Sequence, residues 1–463
     1  MLKKNLALTI PHSQALRLLT DVLPINKLIP EYNLYIICEN SLITERIQKF
    51  CEEENIFLLG ITFRKLNSHN FIKRLLANVR AYVFPFKNKN QTLLDFWEAF
   101  KYEKANRNNY FKKFTIILIY QFSCRFKFMR NFFSIIEKIF TFTKSEERLL
   151  KKYRIQYLLT TSLSGQNSND QFLLAAERKK IFSLTYIGSW DNPSGNGFNL
   201  CKPNMVLSYS PSMSKQIELF QDFNKKHIYE IGALQYANWF DHRREVQPLK
   251  NKLKILYGGK SYKRFSHDYT YVKEIIKVFE FFESSFELIV RPHPLALIKK
   301  SNGKFFYNEI YKLIDLCGTN DSVNMDFEKV GNFNDYLDDK SYERMRDNLL
   351  TYDLIINSFT TLALEACILN IPCINIFYET EDYKYVNYPT RKNNYQAEGY
   401  YHNRQLSKAV PNIDSFISFK NYIKSFLNNE DKYTLERTNA SNDVVGDLNK
   451  SKEKFLNILK NLD

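Results

Sequence analysis

The sequence predicts a mixed α/β protein of two domains, each built on a parallel sheet. Three observations carry this. Short, wholly apolar, β-branched runs such as residues 288–290 and 354–356 stop abruptly at polar residues; buried parallel strands do this when they deliver side chains to the carboxyl edge of a sheet. Such runs alternate with helical segments along the chain, the pattern of a parallel sheet with covered faces. With 463 residues, 44% hydrophobic and 25% charged, the chain can bury more than one core and has ordinary globular usage.

In the first half, residues 6–10 form a strand, 14–28 a helix interrupted near Pro24, and 34–38 and 56–61 two further strands. Residues 155–160 return to the sheet, and the polar loop TSLSGQNSND (161–170) enters a helix over 171–180. Strands over 182–187, 205–208 and 227–231 complete this half. The segment 241–250 is polar and basic and contains Pro248, which suits a linker. A second unit opens with a strand over 252–256, a helix over 271–282 and a strand over 286–290. In LIINSFTTLALEACILNIPCINI, residues 354–356 are strand, 357–361 turn, 362–369 helix and 371–376 the next strand. The predicted domains are therefore 1–245, carrying a basic aromatic helical insert at 101–154, then 250–430, then a helical tail at 431–463. The end of that tail, 452–462, either docks across the first domain or lies free. Asn is abundant throughout and reads as codon usage rather than chemistry.

Seven cysteines stand singly with no CxxC pair, which argues against a disulfide framework or a zinc site and for a reducing compartment. No apolar stretch reaches the roughly 18 residues a spanning helix needs, and residues 6–10 are too short an apolar run for a signal peptide. The expected location is cytoplasmic, with peripheral contact at the inner membrane face suggested by charge. The formal net charge is +16, and residues 101–154 hold 14 Lys/Arg against 4 Asp/Glu, interleaved with Phe, Ile and Tyr around Lys112, Lys113, Arg125, Lys127 and Arg130. That composition suits an interfacial membrane element and equally a buried helix pair with solvated basic ends. A basic aromatic patch can also grip nucleic acid, but no recognition motif supports that, and no nucleic-acid partner is expected.

Candidate chemistry lies at predicted strand ends. Ser358, Thr360 and Thr361 stand at a helix start, where hydroxyls cap free N–H groups and the positive dipole suits a phosphate. Pro292 and Pro294 flank His293 beside Arg291, a restricted pair able to clamp a diphosphate; the plainer reading of His293 is a loop filler. Gly258 and Gly259, followed by Lys260, can let backbone approach an anion or simply form a tight turn. In SWDNPSGNG, Trp190 offers a flat face for a sugar or base and Asp191 and Asn192 polar contacts, whereas DNP alone is good turn chemistry. His12, after the first strand, can act as general base for an acceptor hydroxyl or be structural, with Asp191 the competing base. Glu365, seven positions beyond Ser358, can accept ribose hydroxyls or join a core polar pair. The Tyr- and Asn-rich stretch 383–401, with Arg391, reads as an ordered loop of undecided role.

With these residues assembled, the chain resembles a GT-B-fold glycosyltransferase of the bacterial surface-polysaccharide kind (capsule or lipopolysaccharide). RPHP (291–294) resembles the HP motif of capsule polymerases, polysialyltransferases and teichoic-acid glycerophosphotransferases; DLIINSFTTLALEACILNIP resembles D-x-x-I-x-S-x-S-T-x-x-x-E-A-x-x-x-G-x-P; SWDNPSGNG resembles a WDN-x-x-x-x-G turn of surface-carbohydrate transferases. These cover roughly residues 186–380, and the N-terminal third resembles nothing beyond topology. The resemblance implies two Rossmann-like parallel-sheet domains facing a central cleft, an acceptor-side N-terminal domain, a C-terminal domain binding a nucleotide-sugar cosubstrate, and no obligatory cofactor or metal. It implies that Arg291 and His293 contact the diphosphate, that Ser358, Thr360 and Thr361 hold its oxygens, and that Glu365 holds the ribose. Two departures stand out: Asn370 replaces the usual Gly, acceptable because Asn tolerates the left-handed region, and Phe359 and Thr360 alter the Ser-x-Ser-Thr run. The implied reaction transfers a sugar to a hydroxyl of a glycan or lipid-linked acceptor. A glycerophosphotransferase with a CDP-alcohol donor, a sugar-nucleotide epimerase and a noncatalytic binding protein share the same features.

Overall fold

The computed structural model describes residues 3–63, 76, 80, 127–161, 169–195, 198–245, 248–259, 268–299, 302–305, 307–326, 341–376, 378, 380 and 405–462. They divide into two units, Met1–Ala237 with Val444–Asp463, and Asn238–Asp335 with Lys340–Asp443.

The first unit carries a seven-stranded parallel sheet of β1 (Lys4–Ile10), β2 (Tyr32–Glu39), β3 (Phe57–Ile61), β4 (Tyr157–Thr160), β5 (Phe182–Tyr186), β6 (Met205–Ser208) and β7 (Ile228–Glu230), in the order β3-β2-β1-β4-β5-β6-β7. β4 is buried along its whole length, whereas the edge strands β3 and β7 retain exposed positions. That gradient follows from helices covering both faces of a parallel sheet and leaving only its edges to water. The predicted helix over 14–28 is broken: Ser13–Arg17 is α-helical, Leu18–Val22 is wound as a π turn, and Ile25–Leu28 restarts after Pro24.

The chain end belongs to this unit. Helix Ser451–Lys460 lies against the sheet's amino edge, where the Tyr32 hydroxyl donates to the Leu459 carbonyl at 2.5 Å and the Tyr157 hydroxyl to the Leu462 carbonyl at 3.1 Å. Before that helix, Gly446 lets the chain pass just beyond the carboxyl end of β6: its φ is +72°, and a Cβ there would strike the Tyr209 carbonyl oxygen.

The second unit carries a six-stranded parallel sheet of β8 (Leu253–Gly258), β9 (Phe286–Arg291), β10 (Val323–Met325), β11 (Leu354–Asn357), β12 (Cys373–Ile376) and β13 (Asn412–Ile413), in the order β10-β9-β8-β11-β12-β13. The sequence does not announce β10 or β13, which hold three and two residues with no apolar run. β9 ends at Arg291, immediately before Pro292, which has no N–H for the ladder. Helix Leu362–Leu369 is buried from Ala363 to Leu369 and so shows no amphipathic stripe. It stops at Asn370, whose φ of 58° and ψ of 40° are left-handed, the conformation in which Asn substitutes for a terminating Gly.

In each sheet the strand order reverses once, between β1 and β4 and between β8 and β11. At such a reversal the flanking crossovers depart to opposite faces and leave a crevice at the carboxyl ends, where open α/β sheets take ligands.

Candidate functional site

The register of the second sheet sets one row of residues across its carboxyl edge: Arg291 on β9, Gly258 on β8, Asn357 on β11, Asn375 on β12 and Asn412 on β13. Gly258 and Asn357 flank the reversal. The three asparagines form a connected device rather than a compositional accident. Asn412 Oδ1 accepts from Asn375 Nδ2 at 3.0 Å, and Asn375 Oδ1 accepts the Phe359 N–H at 3.2 Å. Asn357, fully buried, accepts the Thr360 N–H at 2.9 Å through Oδ1 and donates through Nδ2 to the Ile374 carbonyl at 3.2 Å. Sequence reading missed this role; the available signal was an Asn three positions before a Thr at a strand-to-helix turn, which is Asx-turn chemistry.

This changes the part assigned to the hydroxyls. Ser358 is fully buried and its hydroxyl donates to the Ile376 carbonyl at 3.1 Å, so it ties the turn to β12 and does not face a ligand. Thr361 already has helical dihedrals, φ −59° and ψ −23°, and makes no side-chain cap; a capping hydroxyl requires extended backbone. The Thr360 hydroxyl donates to Asn357 Oδ1 at 3.3 Å. Thr361 itself is exposed and Leu362 half-buried. Among the described residues no hydrogen bond reaches the backbone N–H of either, so the helix tip keeps free donors. Phe359 sits at φ +56°, a strained conformation for a bulky residue that persists only where its surroundings impose it. Here Asn375 Oδ1, accepting the Phe359 N–H, is one such contact.

Arg291 is held rather than free: its Nε donates to Asp326 at 2.7 Å and its Nη2 to Asn348 Oδ1 at 2.7 Å. His293 is half-buried, two residues beyond the strand end, and its carbonyl accepts the Ala296 N–H that starts the turn Pro294–Leu297. The strand ends carrying His293 and Ser358 are two strand spacings apart, roughly 10 Å. Gly258 and Gly259 serve packing: a Cβ on Gly258 would collide with the Leu362 side chain, and one on Gly259 would lie 2.8 Å from Asp268 Oδ2. Asp268, also fully buried, accepts the Tyr257 hydroxyl at 2.9 Å; burial and then the Asp268 charge push that phenol well up, keeping it a donor. Glu365 is buried at 7% exposure in the first turn of its helix. Lys260 and the 383–401 loop with Arg391 lie outside the described residues.

In the first unit the β1/β4 reversal gathers a second set. His12 follows β1; burial lowers its pKa, and its Nδ1 accepts the Ala15 N–H at 3.3 Å. A neutral ring that accepts at Nδ1 carries its proton on Nε2, so His12 presents a donor. At the entry to helix Asn169–Lys179, Asn169 Oδ1 accepts the Thr9 hydroxyl at 2.7 Å, tying that helix to β1. Next to it Asp170, 1% exposed, lies 3.7 Å from Arg80, whose guanidinium is spent on Glu137 at 2.8 and 3.0 Å. Burial, offset by Arg80 and reinforced by Glu137, raises Asp170 to about 7. Nothing in the sequence singled this carboxyl out, because Arg80 and Glu137 approach it from 90 and 33 positions upstream.

Trp190 is 6% exposed, so it is core and not the open platform expected for a sugar or base. Asp191 opens the short helix Asn192–Gly195, accepting the Ser189 hydroxyl through Oδ1 at 2.5 Å while its carbonyl accepts the Gly195 N–H at 2.8 Å. It remains half-buried, and among the described residues no hydrogen bond reaches its Oδ2.

The two units are the parallel-sheet α/β domains of the GT-B fold. Among solved structures, the chain is similar to the UDP-GlcNAc 2-epimerase from Neisseria meningitidis bound to UDP-GlcNAc, at TM-score 0.52 and 10% identity over 99% of this chain and 100% of that one. It is similar to a candidate UDP-N-acetylglucosamine 2-epimerase from Listeria monocytogenes at TM-score 0.51 and 8% identity, covering 99% and 96%. A further UDP-N-acetylglucosamine 2-epimerase matches at TM-score 0.50 and 11% identity, with the same coverages. At such identities the likeness is one of fold. No protein-family model and no curated protein matches the chain. Among the described residues no helix is long and apolar enough to cross a membrane.

Proposed function

We propose that the chain is a glycosyltransferase that binds a nucleotide-sugar donor at the carboxyl edge of the second unit and passes the sugar to a hydroxyl of a glycan or lipid-linked acceptor. The observation that carries this reading is the β8/β11 reversal, where Asn357 and Asn375 hold a strained turn so that the helix tip at Thr361 and Leu362 keeps unpaired N–H donors. Preorganised donors of this kind stabilise negative charge on a departing diphosphate without reorganising. Thr361 adds a hydroxyl there and His293 a second contact from the end of β9, two strands away. Arg291 acts from a fixed position with its charge shared by Asp326, and Glu365 reaches a ribose through its small accessible fraction. Ser358 shapes the turn.

For the acceptor hydroxyl, Asp191 suits the base better than His12, because His12 uses its acceptor nitrogen on Ala15 while Asp191 keeps one carboxylate oxygen. His12 then serves as a hydrogen-bond donor. The fold neighbours favour one second reading, a sugar-nucleotide epimerase, since the three structures above are of that class and one holds UDP-GlcNAc. Incubation with UDP-, CDP- and dTDP-activated donors, with and without acceptor glycans, separates the readings. The transferase releases nucleotide diphosphate in an acceptor-dependent way and loses this in Asp191→Asn. Isomerisation of donor alone identifies an epimerase, and CMP release from a CDP-alcohol identifies a glycerophosphotransferase. Failure of every nucleotide to shift the melting temperature removes the proposal.

A further inference from the structure

The helix Lys127–Phe140 is turned inside out. Its inward face is polar and anchored: Glu137, 3% exposed, holds Arg80, Lys138 pairs with Glu177 at 2.7 Å, and the Lys138 carbonyl accepts from Arg178. Its outward face is apolar. Phe132, Ile135, Ile139 and Phe140 are 52%, 57%, 66% and 43% exposed, and Phe142 just beyond is 64% exposed. At 3.6 residues per turn Phe132, Ile135 and Ile139 share one side, with Phe140 at its margin, while Glu137 and then Thr141 fall opposite. A helix of a soluble core has the reverse arrangement, and the buried Arg80–Glu137 pair fixes the orientation seen here.

The residues that follow are basic where they meet solvent. Lys144, Arg148, Lys151, Lys152 and Arg154 are exposed, whereas Glu146 is buried and Glu147 is paired with Lys179 at 3.0 Å. The geometry points to docking of this apolar face on an anionic membrane surface, with the aromatic and aliphatic side chains entering the headgroup boundary and the flanking bases meeting lipid phosphates. Charge selects this occupant. A second copy would bring two basic clusters together, and the preceding segment 101–126 has six Lys/Arg against one Glu, so neither offers complementary charge.

The inference goes beyond the nucleotide-sugar reading and is tested independently of it. The full chain is sedimented with vesicles of phosphatidylcholine alone and of phosphatidylcholine mixed with phosphatidylglycerol. Wild type is expected to partition onto the anionic vesicles only, less so as salt rises. Ile135→Asp/Ile139→Asp is expected to lower the partition coefficient about tenfold or more, and Arg148→Glu/Lys152→Glu to remove its salt dependence. Circular dichroism and thermal unfolding of the same variants, without ligand, check that both units stay folded. Sedimentation velocity at matched concentration detects a dimer. No binding by wild type, equal binding by the Ile variant, or loss of a dimer in that variant without any vesicle binding would each overturn the proposal; the charge-reversed pair decides it should the Ile variant misfold.

Discussion

Replacing Asn357 by Ala should both destabilise the second unit and weaken nucleotide binding. The side chain has no exposure and spans two elements. Losing its Oδ1 removes the partner of the Thr360 N–H, an Asx-type cap worth about 1 kcal/mol. Losing its Nδ2 strips a buried contact from the Ile374 carbonyl, about 1 kcal/mol more, and the truncation adds a small cavity. The sum is about 2 to 4 kcal/mol. Asn357→Asp keeps the shape and the acceptor but loses the donor and places a carboxylate where water is absent, so it should be at least as harmful. Urea unfolding followed by a probe on the second unit measures the stability change. Titration with UDP reads the second effect: if the turn positions the donors at Thr361 and Leu362, affinity falls roughly tenfold or more. A variant within about 0.5 kcal/mol of wild type and with unchanged UDP affinity would refute the view that this asparagine organises the turn.

Three further expectations follow from the same geometry. Ser358→Ala, which loses the bond to the Ile376 carbonyl, should lower stability by about 1 kcal/mol with little change in UDP affinity, while Thr361→Ala should do the opposite; comparable affinity losses in both would return Ser358 to the ligand. In the folded protein Asp170 is raised to about 7 from the ordinary carboxyl value of 3.8, so its contribution is fully present below about pH 4 and is lost as pH rises through about 7. Asp170→Asn should therefore gain on wild type across that window, by at most about 1.4 kcal/mol per pH unit, and denaturant midpoints at several pH values that stay parallel would contradict it. Gly446→Ala meets both a φ of +72° and the Tyr209 carbonyl and should cost about 2 kcal/mol or more, read as a lower melting temperature of the first unit; an unchanged melting temperature would show that the chain end contributes little.

Apolar strands were easy to read, since β8, β11 and β12 are buried almost throughout and β9 holds the apolar run 288–290, and the helix predicted over 362–369 forms over those residues. β10 and β13 were not, because strands of two or three residues are stabilised by neighbouring strands rather than by their own pattern. At the site, position was legible but role was not. The sequence marks a turn at 357–361; it does not say that Ser358 points to Ile376 or that Asn357 does the capping. The expected platform at Trp190 failed for a related reason, since an aromatic in a turn is equally able to pack inward.

From its residues alone the chain determines two parallel-sheet units, a strand end at Pro292, a left-handed stop at Asn370 and an excess of basic charge around an apolar insert, because these depend on local backbone chemistry and composition. Only the tertiary structure decided that Asn357, Asn375 and Asn412 fall in one row, that Arg291 is held by Asp326 and Asn348, that Arg80, Glu137 and Asp170 share one buried site, and that the helix Lys127–Phe140 turns its apolar side outward. Each of these depends on strand register or on contacts between residues far apart in sequence, and a hydrogen bond has no signature until both partners are placed.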